Sequence, residues 1–174
     1  MIGAVVITAS DRSARGVRAD ASGPALAALL ARVPAAVAAV EVVPDTVRAV
    51  RGAIRRAATA PGVRLVLTTG GTGVTPRDVT PEATAALIDR DLPGLALAMR
   101  RGSWAITPFA VISRALAGFC GDCLVVNMPG SPRAVEECFG IVLPTLRRLF
   151  GPGAQRESGR EGAARHQPRT RRGR

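Results

Sequence analysis

The chain has 174 residues, 47% of them apolar but only 3% aromatic, enough for one domain whose core is built from Val, Leu, Ile and Ala. Its 24 basic residues are all arginine and face 13 acidic ones, for a formal charge of +11. Three cysteines are too few and too odd for a disulfide framework; the single histidine, His166, falls in an arginine-rich end expected to be disordered and lysine and tyrosine are absent, which excludes a Ser-His-Asp triad, an HExxH zinc site and Schiff-base chemistry.

Residues 1–8 form an apolar run ending in small polar residues, which predicts a buried first strand. A polar loop over residues 10–20 precedes Leu26, Leu29, Leu30 and Val33 at helical spacing, and residues 36–43 read as a second strand. Residues 21–43 approach the ~20 residues of a membrane span. Arg32, Pro34 and Glu41 interrupt them, however, and residues 1–10 carry no secretory leader, so a cytoplasmic protein is expected. Asp45 stands where a helix N-cap belongs, ahead of Val47, Val50, Ile54 and Ala57 on one face.

Residues 65–67 form a short third strand that runs into Thr68-Thr69-Gly70-Gly71-Thr72-Gly73. Thr80-Pro81-Glu82 opens a helix with Thr80 as its cap. Residues 94–101 predict another short helix, with Trp104 in the loop beyond it; packing is its expected role, stacking on a ring the alternative. Residues 112–119 and 124–127 read as two strands joined by a Gly121-Asp122 turn. After the loop over residues 127–132, Val135, Cys138, Phe139 and Val142 mark one face of the last helix. Gly151-Pro152-Gly153 ends the order, and residues 151–174 are expected to be a disordered arginine-rich tail. Seven arginines against two acids give that tail +5, leaving +6 elsewhere, which favours anionic partners such as phosphates. A solvated tail is expected; a nucleic-acid or acidic-partner arm is the alternative.

Strands alternating with helices predict an α/β fold, a three-layer sandwich with a mainly parallel sheet and helices on both faces. Ligands in such sheets bind beyond the carboxyl ends of the strands. Three loops leaving such ends carry the unusual residues: Ser10-Asp11-Arg12, residues 69–78 and residues 129–132. Glycines at 70, 71 and 73 let the backbone approach an anion, and the threonine hydroxyls add donors. The stretch is not a P-loop, since no Gly-Lys-Ser/Thr follows, and Pro76 stands where a dinucleotide fingerprint needs its third glycine. A flexible strand exit is the plain alternative.

Arg77 can grip phosphate oxygens in a fork and Asp78 can hold Mg²⁺ against the same phosphates, with a surface ion pair as the alternative. For Asp45, helix capping is explanation enough at this level. Elimination leaves positioning and charge stabilisation by amides, Arg, Asp and Mg²⁺, the means of phosphoryl and nucleotidyl transfer; a non-catalytic binder would satisfy it equally. Cys120-Gly121-Asp122-Cys123 is a lone CxxC on a strand-strand turn. Reactive pairs sit at helix N-termini and zinc needs a second ligand pair, so it reads as structural or incidental.

Thr68-Thr69-Gly70-Gly71-Thr72-Gly73, then Pro76-Arg77-Asp78-Val79-Thr80-Pro81-Glu82-Ala83-Thr84, strongly resembles the signature of the MogA/MoaB family, as does Asn127-Met128-Pro129-Gly130-Ser131-Pro132. Ser10-Asp11-Arg12, Asp20-Ala21-Ser22-Gly23-Pro24, Val43-Pro44-Asp45 and Ile112-Ser113-Arg114 support it. The resemblance covers residues 1–150 and implies a molybdopterin-binding domain there, usually trimeric. It implies a molybdopterin adenylyltransferase, which moves AMP from Mg-ATP to molybdopterin with release of pyrophosphate, ahead of molybdate insertion by a transfer partner. Asp45 and Asp78 match the catalytic aspartates, Asp78 also as metal ligand. Thr69, Gly70, Gly71, Thr72, Gly73 and Arg77, with Ser10, Asp11 and Arg12, would hold the nucleotide phosphates. Ser113, Arg114, Pro129, Gly130 and Ser131 would receive the pterin. MoaB-type members share these motifs, so a non-adenylating molybdopterin-binding protein is the alternative; neither a membrane nor nucleic acid is an expected partner.

Overall fold

A computed structural model describes residues 1–151 of the chain. Beyond Gly151, the expected arginine-rich tail and His166 lie outside the described residues. Six strands form one sheet in the order β2-β1-β3-β6-β5-β4. β1 (Ile2–Ala9), β2 (Ala35–Val43), β3 (Val63–Thr69) and β6 (Cys123–Met128) are parallel, while β5 (Ala117–Cys120) and β4 (Arg90–Asp91) add an antiparallel edge.

Alternation along the strands divides the core between the two faces, as a pleated sheet requires. Ala4 and Val6 of β1, with Leu65, Leu67, Leu124 and Val126, meet α2 (Ser22–Leu29), α5 (Pro93–Trp104) and α6 (Pro132–Phe150). Val5 and Ile7, with Val66 and Val125, meet α3 (Val47–Ala58) and α4 (Thr80–Ala85). The expected three layers are present. On α6 the anticipated face of Val135, Cys138, Phe139 and Val142 is buried, and on α3 so are Val50, Ile54 and Ala57.

Four expectations are corrected. Residues 112–116 are not strand: Thr107 caps a 3-10 turn over Pro108–Ile112, and β5 begins only at Ala117. The Thr107-Pro108 pair starts a helical turn, because proline fixes φ where a first turn needs it. Trp104 ends α5 instead of lying in a loop, and it is 53% exposed. The polar loop after β1 holds a one-turn helix α1 (Asp11–Ala14) capped by Ser10. The fourth concerns caps: Thr46, not Asp45, caps α3, and the Thr80 hydroxyl donates to the Gly70 carbonyl at 2.9 Å instead of capping α4.

The register brings the parallel strands to one rim. Ala9 pairs with Val43, Thr8 with Thr69, and Thr69 with Met128. The loops that begin at Ser10, Pro44, Gly70 and Pro129 therefore emerge side by side. β1 lies between β2 and β3, so the chain leaves it in one direction and returns on the other. That reversal makes the gap beyond β1 and β3 the expected crevice. No helix among the described residues is long and apolar enough to cross a membrane.

Candidate active site at the carboxyl rim of the sheet

Gly70 and Gly71 have φ of 89° and 62°, so β3 turns sharply as it ends. Thr80 holds the turn from behind: its hydroxyl donates to the Gly70 carbonyl and its amide to the Gly71 carbonyl at 3.0 Å. From below, the buried Thr69 hydroxyl donates to the Pro129 carbonyl at 2.6 Å and ties this loop to the next. A Cβ at position 70 would run into the Ala9 carbonyl oxygen. The left-handed φ costs ~1–2 kcal/mol for a non-glycine residue and the crowding a further ~1–3 kcal/mol. Gly70→Ala is expected to lower Tm by roughly 5–15 °C, as thermal unfolding of the purified variant would show; an unchanged Tm would mean the turn tolerates a side chain.

The aspartates converge on the same rim. Asp45 Oδ2 accepts the Asp11 amide at 2.8 Å, and Asp11 Oδ1 accepts the Asp45 amide at 3.0 Å. This reciprocal pair joins the loop after β1 to the loop after β2, so Asp45 bridges loops instead of capping α3. Arg77 reaches toward the pair, with Nη1 4.0 Å from Asp11 Oδ2. Asp78 Oδ2 accepts the Thr75 amide at 2.8 Å and the Thr75 hydroxyl at 2.7 Å, closing a tight turn beside Gly73.

Environment separates the two carboxyls. Burial, with the neighbouring charges of Asp11 and Asp78, raises Asp45 above its ordinary 3.8, against the Asp11 amide and Arg77. Burial acts the same way on Asp78 but is outweighed by the Thr75 hydroxyl and amide, the Gly73 amide and the Arg114 charge, which together lower it. One acid is poised to hold a proton more readily, the other to stay ionised. Such divergence is what paired acid-base roles need.

Two hollows flank the turn. One, of about 390 Å³, is lined by Ser10, Ser13, Arg18, Asp20, Gly70 and Gly130. It sits at the gap beyond β1 and β3. The other, of about 450 Å³, has mainly apolar walls between α5 and α6 and includes Ser113, Pro129, Asn127 and Cys138. Of the residues expected to take phosphates, Ser10 and Gly70 line the first hollow and Gly71, Thr72, Gly73 and Arg77 continue the same loop, whereas Thr69 is fully buried with its hydroxyl on the Pro129 carbonyl. Arg12 is exposed on α1.

The residues expected to take the pterin are divided. Gly130 lines the first hollow, Ser113 and Pro129 line the second, and Ser131 caps α6 by accepting the Ala134 amide at 3.3 Å. Arg114 is turned away from both. Its amide donates to the Thr72 carbonyl at 2.9 Å, its Nε to the Gly73 carbonyl at 2.6 Å, and its remaining nitrogens to the Asp78 carbonyl and the Glu82 carboxylate. That pairing lowers Glu82 from its ordinary value.

Three contributors were not anticipated. Asp20 lines the first hollow while its carboxylate accepts the Thr8 hydroxyl at 2.7 Å and the Ser22 and Gly23 amides at 3.1 Å. Glu82 anchors Arg114. Fully buried Asn127 donates to the Thr68 and Thr84 hydroxyls and accepts the Leu116 amide, which fixes the β6 end against β3 and α4. Cys120 and Cys123 face each other across the β5-β6 turn as free thiols; burial pushes Cys123 up to about 12 and Cys120 upward, which leaves both unreactive.

A mainly parallel sheet with a glycine turn, paired aspartates and hollows at its carboxyl rim defines an α/β domain with its candidate ligand site at that rim. Residues 5–148 match the family described as a probable molybdopterin binding domain, and the chain belongs to that family, whose work is molybdenum cofactor biosynthesis. It is 36% identical over 143 residues to a molybdopterin adenylyltransferase of Helicobacter pylori, covering 81% of each chain. It is 38% identical to Gephyrin of Dictyostelium discoideum but spans only 22% of that protein's length. Among solved structures, the molybdopterin biosynthesis enzyme MoaB of Thermus thermophilus superposes with a TM-score of 0.80 at 42% identity, covering 87% of this chain and 98% of that one.

Proposed function

We propose that the chain is a molybdopterin adenylyltransferase that uses Mg-ATP. The observation that carries this reading is the convergence of Asp45 and Asp78 on the rim where the Gly70-Gly71 turn opens, linked through Asp11 and Arg77. A terminal phosphate oxygen of the pterin substrate attacks the α-phosphorus of ATP, the α–β bond breaks, and pyrophosphate leaves with the electron pair. The glycine turn and the exposed Arg77 hold phosphate oxygens in line. Asp45, whose carboxyl burial raises above its ordinary value, takes up any proton that the attacking phosphate still carries.

Magnesium fits this donor set as an arrival with the nucleotide. Among the described residues no group of three or more His, Cys, Asp or Glu is assembled to hold a metal. Mg²⁺ is ordinarily held by one or two carboxylates with substrate phosphates completing its shell, and the ionised Asp78 provides such a carboxylate. When bound, the ion would neutralise charge on the phosphates. The pterin is assigned to the two hollows on either side of Pro129 and Gly130. A cytoplasmic homotrimer that passes its product to a molybdate-inserting partner completes the reading; exposed Leu97, Trp104, Phe109 and Val111 offer an apolar surface for subunit contact.

A second reading is a molybdopterin-binding protein that does not adenylate, since the family match is to a probable molybdopterin binding domain and the glycine turn and hollows serve a binder equally. Incubation of the pure protein with molybdopterin, Mg²⁺ and ATP distinguishes the two. Adenylylated pterin by mass, with stoichiometric pyrophosphate, is expected; pterin binding without pyrophosphate would leave only the second reading.

A further inference from the structure

The loop from Gly73 to Asp78 is poorly held by its own residues. Val74, Thr75, Pro76 and Arg77 are exposed, and the Thr75–Asp78 bonds close the turn without fixing it to the domain. Apart from the 4.0 Å approach of Arg77 to Asp11, the fixing comes from 36 residues away. The Arg114 guanidinium donates to the carbonyls at both ends of the loop, Gly73 and Asp78, while the Arg114 amide holds Thr72 just before it. Glu82, on the first turn of α4 just past the loop, accepts Nη1 on Oε1 and lies 3.5 Å from Nη2 through Oε2. A planar fork can meet two carbonyls and a carboxylate at once, which an ammonium on a flexible stem cannot do in one fixed geometry.

We propose that Arg114 and Glu82 form a positioning clamp, which holds the Gly73–Asp78 loop so that the Asp78 carboxylate meets the metal-bound nucleotide. The clamp rests on the adenylyl-transfer reading above, and it moves Arg114 from the pterin contacts to the nucleotide side. Side-chain exposure is 38% for Arg114 and 51% for Glu82. A pair this open to water adds little to global stability, so its contribution is the local placement of the loop.

The test compares full-length wild type with Arg114→Lys and Glu82→Gln. Calorimetry measures ATP binding across a Mg²⁺ titration and molybdopterin binding without ATP, and thermal unfolding is followed alongside. Loss of an outer partner of a metal-holding carboxylate weakens metal binding about 10-fold or more. Arg114→Lys is expected to raise the Mg²⁺ needed for half-saturation by about that factor, with molybdopterin affinity and Tm close to wild type. Glu82→Gln, which keeps the size but loses the charge, should shift the Mg²⁺ requirement in the same direction by less, and the double variant should be no worse than Arg114→Lys. Unchanged Mg²⁺ dependence in both variants overturns the clamp. So does weakened molybdopterin binding with normal Mg-ATP binding, which would return Arg114 to the pterin. A large fall in Tm in both variants would overturn it too, by showing a purely structural pair. Wild type that binds no Mg-ATP removes the adenylyl-transfer reading and the clamp together, whereas normal wild-type binding with unaltered variants removes the clamp alone.

Discussion

Asp78→Asn is expected to cut AMP transfer by about 10²–10³-fold, the usual loss when a charge-stabilising group is removed from a transition state. The substitution keeps an oxygen that can accept from Thr75 but deletes the negative charge that the surroundings preserve. Binding of molybdopterin alone should be nearly unaffected, because the charge is assigned to the nucleotide side. A small loss of stability at neutral pH is expected as well. Since Asp78 is lowered in the fold, its ionised form contributes stability above its ordinary 3.8, and that contribution fades as pH falls through the lower folded value. Steady-state kinetics with ATP and molybdopterin, paired with thermal unfolding at pH 7, checks both parts. Activity within a few-fold of wild type would end the role assigned to Asp78.

Asp45→Asn is expected to act in the opposite sense on stability while also costing activity. Loss of a positioned proton acceptor lowers rates by about 10²–10⁴-fold. The folded state, however, disfavours ionised Asp45, chiefly through burial. A carboxyl raised in the fold binds more protons folded than unfolded, so its effect on stability worsens as pH rises through 3.8 and the raised value above it. A neutral amide that still accepts the Asp11 amide removes that penalty. The variant should therefore melt at or above the wild-type temperature at pH 7 while transferring AMP poorly, the pattern expected where a site is kept at the expense of stability. A variant that is both fully active and less stable would contradict the role and its electrostatic basis.

Much of the frame was readable in the chain itself. Valine-rich β1 and β3 end in small polar residues and a glycine run, and the 3.6-residue spacing along α6 placed its buried face correctly. The glycine turn was readable because only a few residue types allow that backbone. The start of β5 was not: a strand was expected from residue 112, yet Ile112 is exposed at the end of a 3-10 turn and the strand begins at Ala117. Local hydrophobicity cannot tell a core from an uncovered surface. The two-residue β4 leaves no periodic signal at all.

At the site, the short-range expectation for Asp45 competed with a long-range one. Capping explained it from neighbours alone, but its partner is the amide of Asp11, 34 residues earlier. Thr80 failed for the same reason, its hydroxyl serving the Gly70 carbonyl across the turn. Arg114 was assigned to the pterin because the Ile112-Ser113-Arg114 stretch resembles the family's motif. Which carbonyls a long side chain meets depends on packing between elements 36 residues apart, and no local pattern records it.

The central position of β1, paired in parallel with both β2 and β3, also bears on how the domain comes into being. Parallel pairing joins stretches distant in sequence, so ordering is slow and nothing local rewards its early steps. The rim gathers its parts from Ser10 through Ser131, and the strand that brings the last of them, β6, is also among the last to emerge in synthesis. A partly made or truncated chain therefore holds the glycine run with β1 on one side of it and without β6 on the other. The wall that Pro129, Gly130 and Ser131 contribute is added only when β6 closes onto β3.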